Sequence, residues 1–174
     1  MTVATIQPVL TEGALTFTFP SPGKASKYDD WSHYRNQFQT TCGGNKAVDL
    51  VYTDGQVTWL IEVKDFRQHQ RTKQIDLSDE IALKVRDTLA GLVSAKFQAN
   101  DPDEKQCATA LLRSRNIRVA CHIEQPAKRS RLFPRAIEPD NLVLKLRTLI
   151  KAVDPHPAVV DRHSLHADMP WNVR

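Results

Sequence analysis

No apolar run in this chain approaches the roughly 20 residues needed to cross a membrane. The N-terminus, MTVATIQPVL, has neither the basic start nor the sustained apolar stretch of a signal peptide. Cysteine is scarce. Cys42, Cys107 and Cys121 are odd in number and widely spaced, so they match no zinc pattern and no disulfide framework, and a reducing cytoplasm is the expected setting. A glycine-rich phosphate loop is missing, and Gly43-Gly44 alone reads as a turn. No Ser-His-Asp or Cys-His arrangement rises above composition, and there is no internal repeat or low-complexity tract. What remains is a chain of 174 residues, long enough for one domain with a substantial core. We expect that domain over 1–153, with 154–174 as a C-terminal tail of too little periodicity to assign.

The net charge of +4 is unevenly spread. Residues 1–104 hold 11 Lys/Arg against 14 Asp/Glu, whereas residues 105–151 hold 11 against 3. A basic segment of that density is a plausible footprint for a polyanion, set against the plain alternative of a solvated surface.

Hydrophobic spacing gives the elements. Ala14–Phe19 alternates as a short strand. Tyr28, Trp31, Tyr34 and Phe38 recur at helical spacing, predicting a helix over Lys27–Thr41, with Trp31 and Tyr34 read as core. A long helix follows near Asp76–Gln98 on Ile81, Val85, Leu89 and Leu92. Asp101-Pro102-Asp103-Glu104 has the composition of a capped helix start with a capping box. Asn116–Ile123 alternates as a strand. A basic loop spans Gln125–Arg135, and Asp140–Val153 is a last amphipathic helix. The order predicts a layered α/β (α+β) domain.

The informative stretch is 47–67, AVDLVYTDGQVTWLIEVKDFR. Asp54-Gly55 suits a tight hairpin turn, because both residues tolerate positive φ. With a two-residue turn Thr53 pairs with Gln56, and Asp49 faces Leu60. Side chains alternate across a strand. Val48, Leu50, Tyr52, Val57, Trp59, Ile61 and Val63 therefore share one apolar face. Asp49, Glu62 and Lys64 gather on the other, the two acids as diagonal neighbours able to share a ligand. A one-residue slip would undo this. Two carboxylates of this kind can hold Mg²⁺, with the Val63 carbonyl as a further oxygen, and Lys64 could assist an attacking water. Arg67, Arg71 and Lys73, with Lys128, Arg129 and Arg131 of the basic loop, are the candidate nucleic-acid phosphate contacts. His122 reads as a surface or supporting residue, and His163 and His166 lack a partner ligand.

Asp49 followed by Glu62-Val63-Lys64 resembles the PD-(D/E)XK nuclease superfamily, although Val48 stands where the name places proline. The resemblance runs from the helix at Lys27–Thr41 to the strand at Asn116–Ile123. It implies a restriction-endonuclease-like core: a central mixed β-sheet whose hairpin carries the site, flanked by helices on both sides. Ala14–Phe19 could supply the third meander strand. The resemblance further implies a metal-dependent nuclease that hydrolyses DNA, with RNA left open. Asp49 and Glu62 would hold Mg²⁺ or Mn²⁺, Lys64 would serve the water, and a homodimer would be one arrangement that cuts both strands. Asp29 or Asp30 could add the acid that such proteins carry on the first helix, and Gln70 or Gln74 a glutamine after the lysine. The alternatives are a non-catalytic nucleic-acid-binding or assembly module on the same fold, and an interaction subunit working through its tail.

Overall fold

The computed structural model describes residues 7–68, 71–126 and 137–174. A five-stranded mixed sheet forms its centre, in the order β3 (Lys24–Lys27), β4 (Leu50–Thr53), β5 (Val57–Asp65), β6 (Asn116–Glu124) and β7 (Ala158–Val160). The first three strands form an antiparallel meander, and β5, β6 and β7 run parallel. Between β5 and β6 the chain makes two helices, α1 (Leu77–Gln98) and α2 (Pro102–Leu111). Between β6 and β7 it makes α3 (Pro139–Leu149). Among the described residues no helix is long and apolar enough to cross a membrane.

Both faces of the sheet are buried, which suits a near-continuous apolar strand such as β5. Val51, Leu60, Val119 and Cys121 point to one side and pack with Ile81 and Leu92 of α1, Leu111 of α2, and Leu142 and Leu146 of α3. Leu50, Tyr52, Trp59, Ile61 and Ala120 point to the other side and meet Leu15, Phe17, Phe19, Met169 and Trp171. Each such fully buried side chain contributes about 1.5–3 kcal/mol. The expectation of helices on both sides is thereby corrected. The second face is covered by a small sheet, β1 (Val9–Glu12), β2 (Leu15–Thr18) and β8 (Asn172–Val173), in the order β1-β2-β8. Leu15 and Phe17 alternate inward on β2, which pairs with β1 and β8 and leaves the third meander place to β3.

The helix expected over Lys27–Thr41 is also corrected. Lys24–Lys27 is strand, Tyr28–Asp30 a 3₁₀ turn, Trp31 extended, and Tyr34–Phe38 a single π turn. The Tyr28 N–H donates to the Asp49 carbonyl at 3.0 Å, and the Ser32 and His33 N–H groups donate to the Glu104 carboxylate at 2.6 and 3.0 Å. Long-range acceptors therefore satisfy donors that a continuous helix would have kept. The aromatic spacing was real all the same, since Tyr28, Trp31 and Tyr34 all reach the core. Glu104 is thus engaged with that loop, and Asp101 alone caps α2, accepting from the Asp103 and Glu104 N–H groups.

Residues 154–174 are woven through the domain. Besides β7 and β8 they supply Asp154, which is 1% exposed and accepts the Val119 N–H at 2.7 Å.

Candidate functional site

The hairpin's turn is longer than its sequence suggests, and the difference matters. Thr53 pairs with Thr58 and Leu50 with Ile61, so residues 54–57 lie between the paired positions and the expected Thr53–Gln56 pairing is corrected. The Asp54 carboxylate explains the extra length. It accepts the Gln56 and Val57 N–H groups at 2.7 and 2.8 Å, while Gly55 takes φ +91°. Moving the register by two residues keeps the paired side chains of β4 and β5 on their faces, whereas a slip of one would have inverted them. It also brings Asp49, just ahead of Leu50, level with Glu62 instead of Leu60. Val48, ahead of β4, is corrected: it packs with Val51 and Leu60 on the helical side and not with Leu50 and Tyr52.

Asp49, Glu62 and Lys64 are brought together. The Val63 N–H donates to Asp49 Oδ2 at 2.7 Å. Glu62 has no exposed surface, and its Oε1 accepts from Lys64 at 2.5 Å and from Lys84 at 2.7 Å. Lys84 also lies 3.6 Å from Asp49 Oδ1, so its ammonium bridges the two acids. Beside them Glu80, 1% exposed at its side chain, receives Lys73 at 2.6 Å and Arg71 at 2.7 Å, with Lys64 at 3.6 Å. Three carboxylates thus face four cations, and the cluster is compensated from within.

Burial and then the neighbouring Asp49 charge push Glu62 up to about 7, against the pull of Lys84 and Lys64. Burial opposes ionisation at Glu80 too, yet hydrogen bonds from Lys73 and Arg71 hold it at about 2. Lys84 is desolvated, but Glu62 and Asp49 raise it above the usual lysine range. Asp29, half-buried nearby, is lifted by burial and by Asp49 to about 6.

Above the cluster opens a cleft of about 580 Å³ lined by Asp29, Tyr34, Arg35, Asn45, Lys46 and Lys73 among others, with Asp49, Glu80 and Lys84 in its wall. Arg35 and Lys46 are exposed, and the Lys46 ammonium has no partner among the described residues.

Other candidates fall elsewhere. Asp30 pairs with Arg35 and Lys27 outside the cleft, leaving Asp29 as the acid that faces Asp49. Arg67 is held by Asp65 at 2.6–2.9 Å, whereas Arg71 and Lys73 converge on the cluster. Gln74 lines a separate pocket. Gln70, Lys128, Arg129 and Arg131 lie outside the described residues. His122 is buried and hydrogen-bonds Glu124 at 3.0 Å, a supporting place.

Sequence reasoning missed Glu80 and Lys84. Their signal is a second stripe on α1, Glu80–Lys84–Asp87–Thr88, at helical spacing beside the apolar one. Asp87 and Thr88 accept the Lys46 and Val48 N–H groups at 2.9 and 3.0 Å, so this polar stripe docks the strand that enters β4.

As a test for Mg²⁺, among the described residues Glu62 Oε2 is a buried oxygen without a hydrogen-bond partner, and Asp49 Oδ1 meets only Lys84. Two carboxylates suit a hard cation whose other ligands are water or phosphate oxygens. Among the described residues no three His, Cys, Asp or Glu side chains assemble as a metal-binding group.

No family model and no solved structure matches the chain. A curated relative, cysteine–tRNA ligase of Neisseria meningitidis, is 35% identical over 165 residues, which takes in 77% of this chain and 24% of the ligase. The chain therefore spans about a quarter of the relative's length. This finding overturns the expectation of a Mg²⁺-dependent nuclease or endonuclease acting on DNA, because the relative is named for ligation and for tRNA. The misreading has a physical source. An Asp and a Glu-x-Lys on paired strands also arise where lysines neutralise buried acids, as Lys64 and Lys84 do at Glu62.

Proposed function

We propose that this chain is a non-catalytic RNA-binding module that engages the phosphate backbone of tRNA at the cleft above Asp49 and Glu62. The similarity to cysteine–tRNA ligase carries this reading. Geometry supplies the surface, since Arg35, Lys46 and Lys73 line a polar cleft of about 580 Å³. Phosphate contacts of this type position a strand without reading its sequence. The Lys64–Glu62–Lys84 network fixes the floor and orients α1. A Mg²⁺ ion held by Asp49 and Glu62 would add positive charge facing a bound phosphate. The meander β3–β4–β5, followed by helices and the parallel strand β6, supports a restriction-endonuclease-like scaffold put to binding. Such a module belongs in the cytoplasm with its RNA.

Titration of a tRNA transcript against increasing salt tests this. With three cations neutralising phosphates, log K should fall against log salt with a slope of about −2. The Lys46→Ala/Lys73→Ala variant should flatten that slope by more than half. Absence of affinity at low salt, or an unchanged slope in the variant, would refute the proposal.

A further inference from the structure

Lys73 stands at two cavities. On its far side from the cleft lies a pocket of about 440 Å³ between the start of α1 and α3. Its volume falls within the roughly 300–1,000 Å³ typical of small-ligand sites. The floor is apolar, with Leu77 and Leu142 buried and Ile137 half-buried. Gln74 and Asn141 stand at the rim, and neither side-chain amide has a hydrogen-bond partner among the described residues. Asp76, also at the rim, is engaged, accepting from Lys145 at 2.6 Å while it caps α1.

We infer that this pocket receives one unpaired base of the RNA whose backbone crosses the cleft, which makes single-stranded RNA the preferred form. The inference rests on the RNA-binding reading above. A base needs apolar surface for its faces and paired donors and acceptors for its edge. An amide side chain offers both donor and acceptor groups. Lys73, shared by the two cavities, would hold the phosphate that joins the base to the strand. A duplex keeps its bases stacked inside and could use the cleft alone.

The test compares a short single-stranded RNA with its blunt-ended duplex by fluorescence anisotropy, using the full chain. The single strand should bind several-fold more tightly, since only it can place a base against Leu77, Ile137 and Leu142. Gln74→Ala/Asn141→Ala should remove most of that preference while leaving duplex affinity unchanged. Both positions are exposed, and a circular dichroism spectrum like that of the wild type checks folding. If both RNAs bind equally, or the double variant keeps the preference, the base pocket is refuted while the RNA-binding reading stands. If neither RNA binds, the RNA-binding reading fails and the pocket with it.

Discussion

Glu62 is a carboxylate without exposed surface, wedged between Lys64 and Lys84 and raised to about 7 from an ordinary 4.5 by burial and by Asp49. Between those two values the folded chain keeps a proton that the unfolded chain has released. The contribution of Glu62 is therefore most favourable below the lower value and declines as pH rises through the upper one. Urea unfolding at pH 5 and pH 8 should show a loss of stability in the wild type that Glu62→Gln largely removes. Identical pH slopes in both proteins would mean that the lysines keep Glu62 ionised throughout. At this scale the sequence was legible where strand parity governs, as for Asp49, Glu62 and Lys64. It was opaque for Glu80 and Lys84, which reach the cluster from a helix whose distance from the hairpin only the fold closes.

At the scale of elements, α1 lies against the turn at Tyr28 with no room to spare. A Cβ on Gly91 would stand 1.9 Å from the Tyr28 hydroxyl and 3.1 Å from the Phe38 ring. Alanine would gain about 1 kcal/mol of helix propensity, but overpacking costs about 1–3 kcal/mol and moves a ring from the core. Gly91→Ala should therefore lower thermal stability, and Tyr28→Phe in the same chain should restore part of it, since that hydroxyl has no hydrogen-bond partner among the described residues. A stabilised Gly91→Ala protein would show that the turn yields instead. The long helices were legible because their caps and apolar stripes are local, as with Asp76 for α1 and Asp101 for α2. The segment 27–41 was not, because the groups that satisfy its backbone, Asp49 and Glu104, are remote in sequence.

Over the whole molecule, residues 154–174 close the second core. Trp171, 2% exposed, stacks edge-on with Trp59 at 5.0 Å and packs with Phe19 at 5.9 Å between ring centroids. Trp171→Ala should cost about 3–5 kcal/mol in denaturant unfolding, with loss of a single sharp transition if the small sheet detaches. A cost under about 1 kcal/mol would mean that the second core does not depend on this segment. Nothing periodic announced the role, because the segment enters the core at scattered points such as Val160, Met169 and Trp171. The helical side of the sheet was foreseeable from amphipathic spacing; its other side was assembled from both ends of the described chain.

The loop at 54–57 has a consequence for how such a chain can change over time. Its Gly55, Gln56 and Val57 N–H groups are satisfied by the adjacent Thr53 and Asp54 side chains. Its one tie to the neighbouring strand among the described backbone bonds is the Gln56 carbonyl, which accepts from the Arg115 and Asn116 N–H groups at 3.0 and 3.3 Å. Loop closure grows costlier only slowly with length. Insertions or deletions that shift the pairing by two positions would leave Glu62 and Lys64 facing α1, whereas a shift of one would turn both charged side chains into the opposite core. Length variation that the loop absorbs leaves the pairing untouched, while variation that enters the strands should come in even steps, a parity filter imposed by the pleat and not by the ligand.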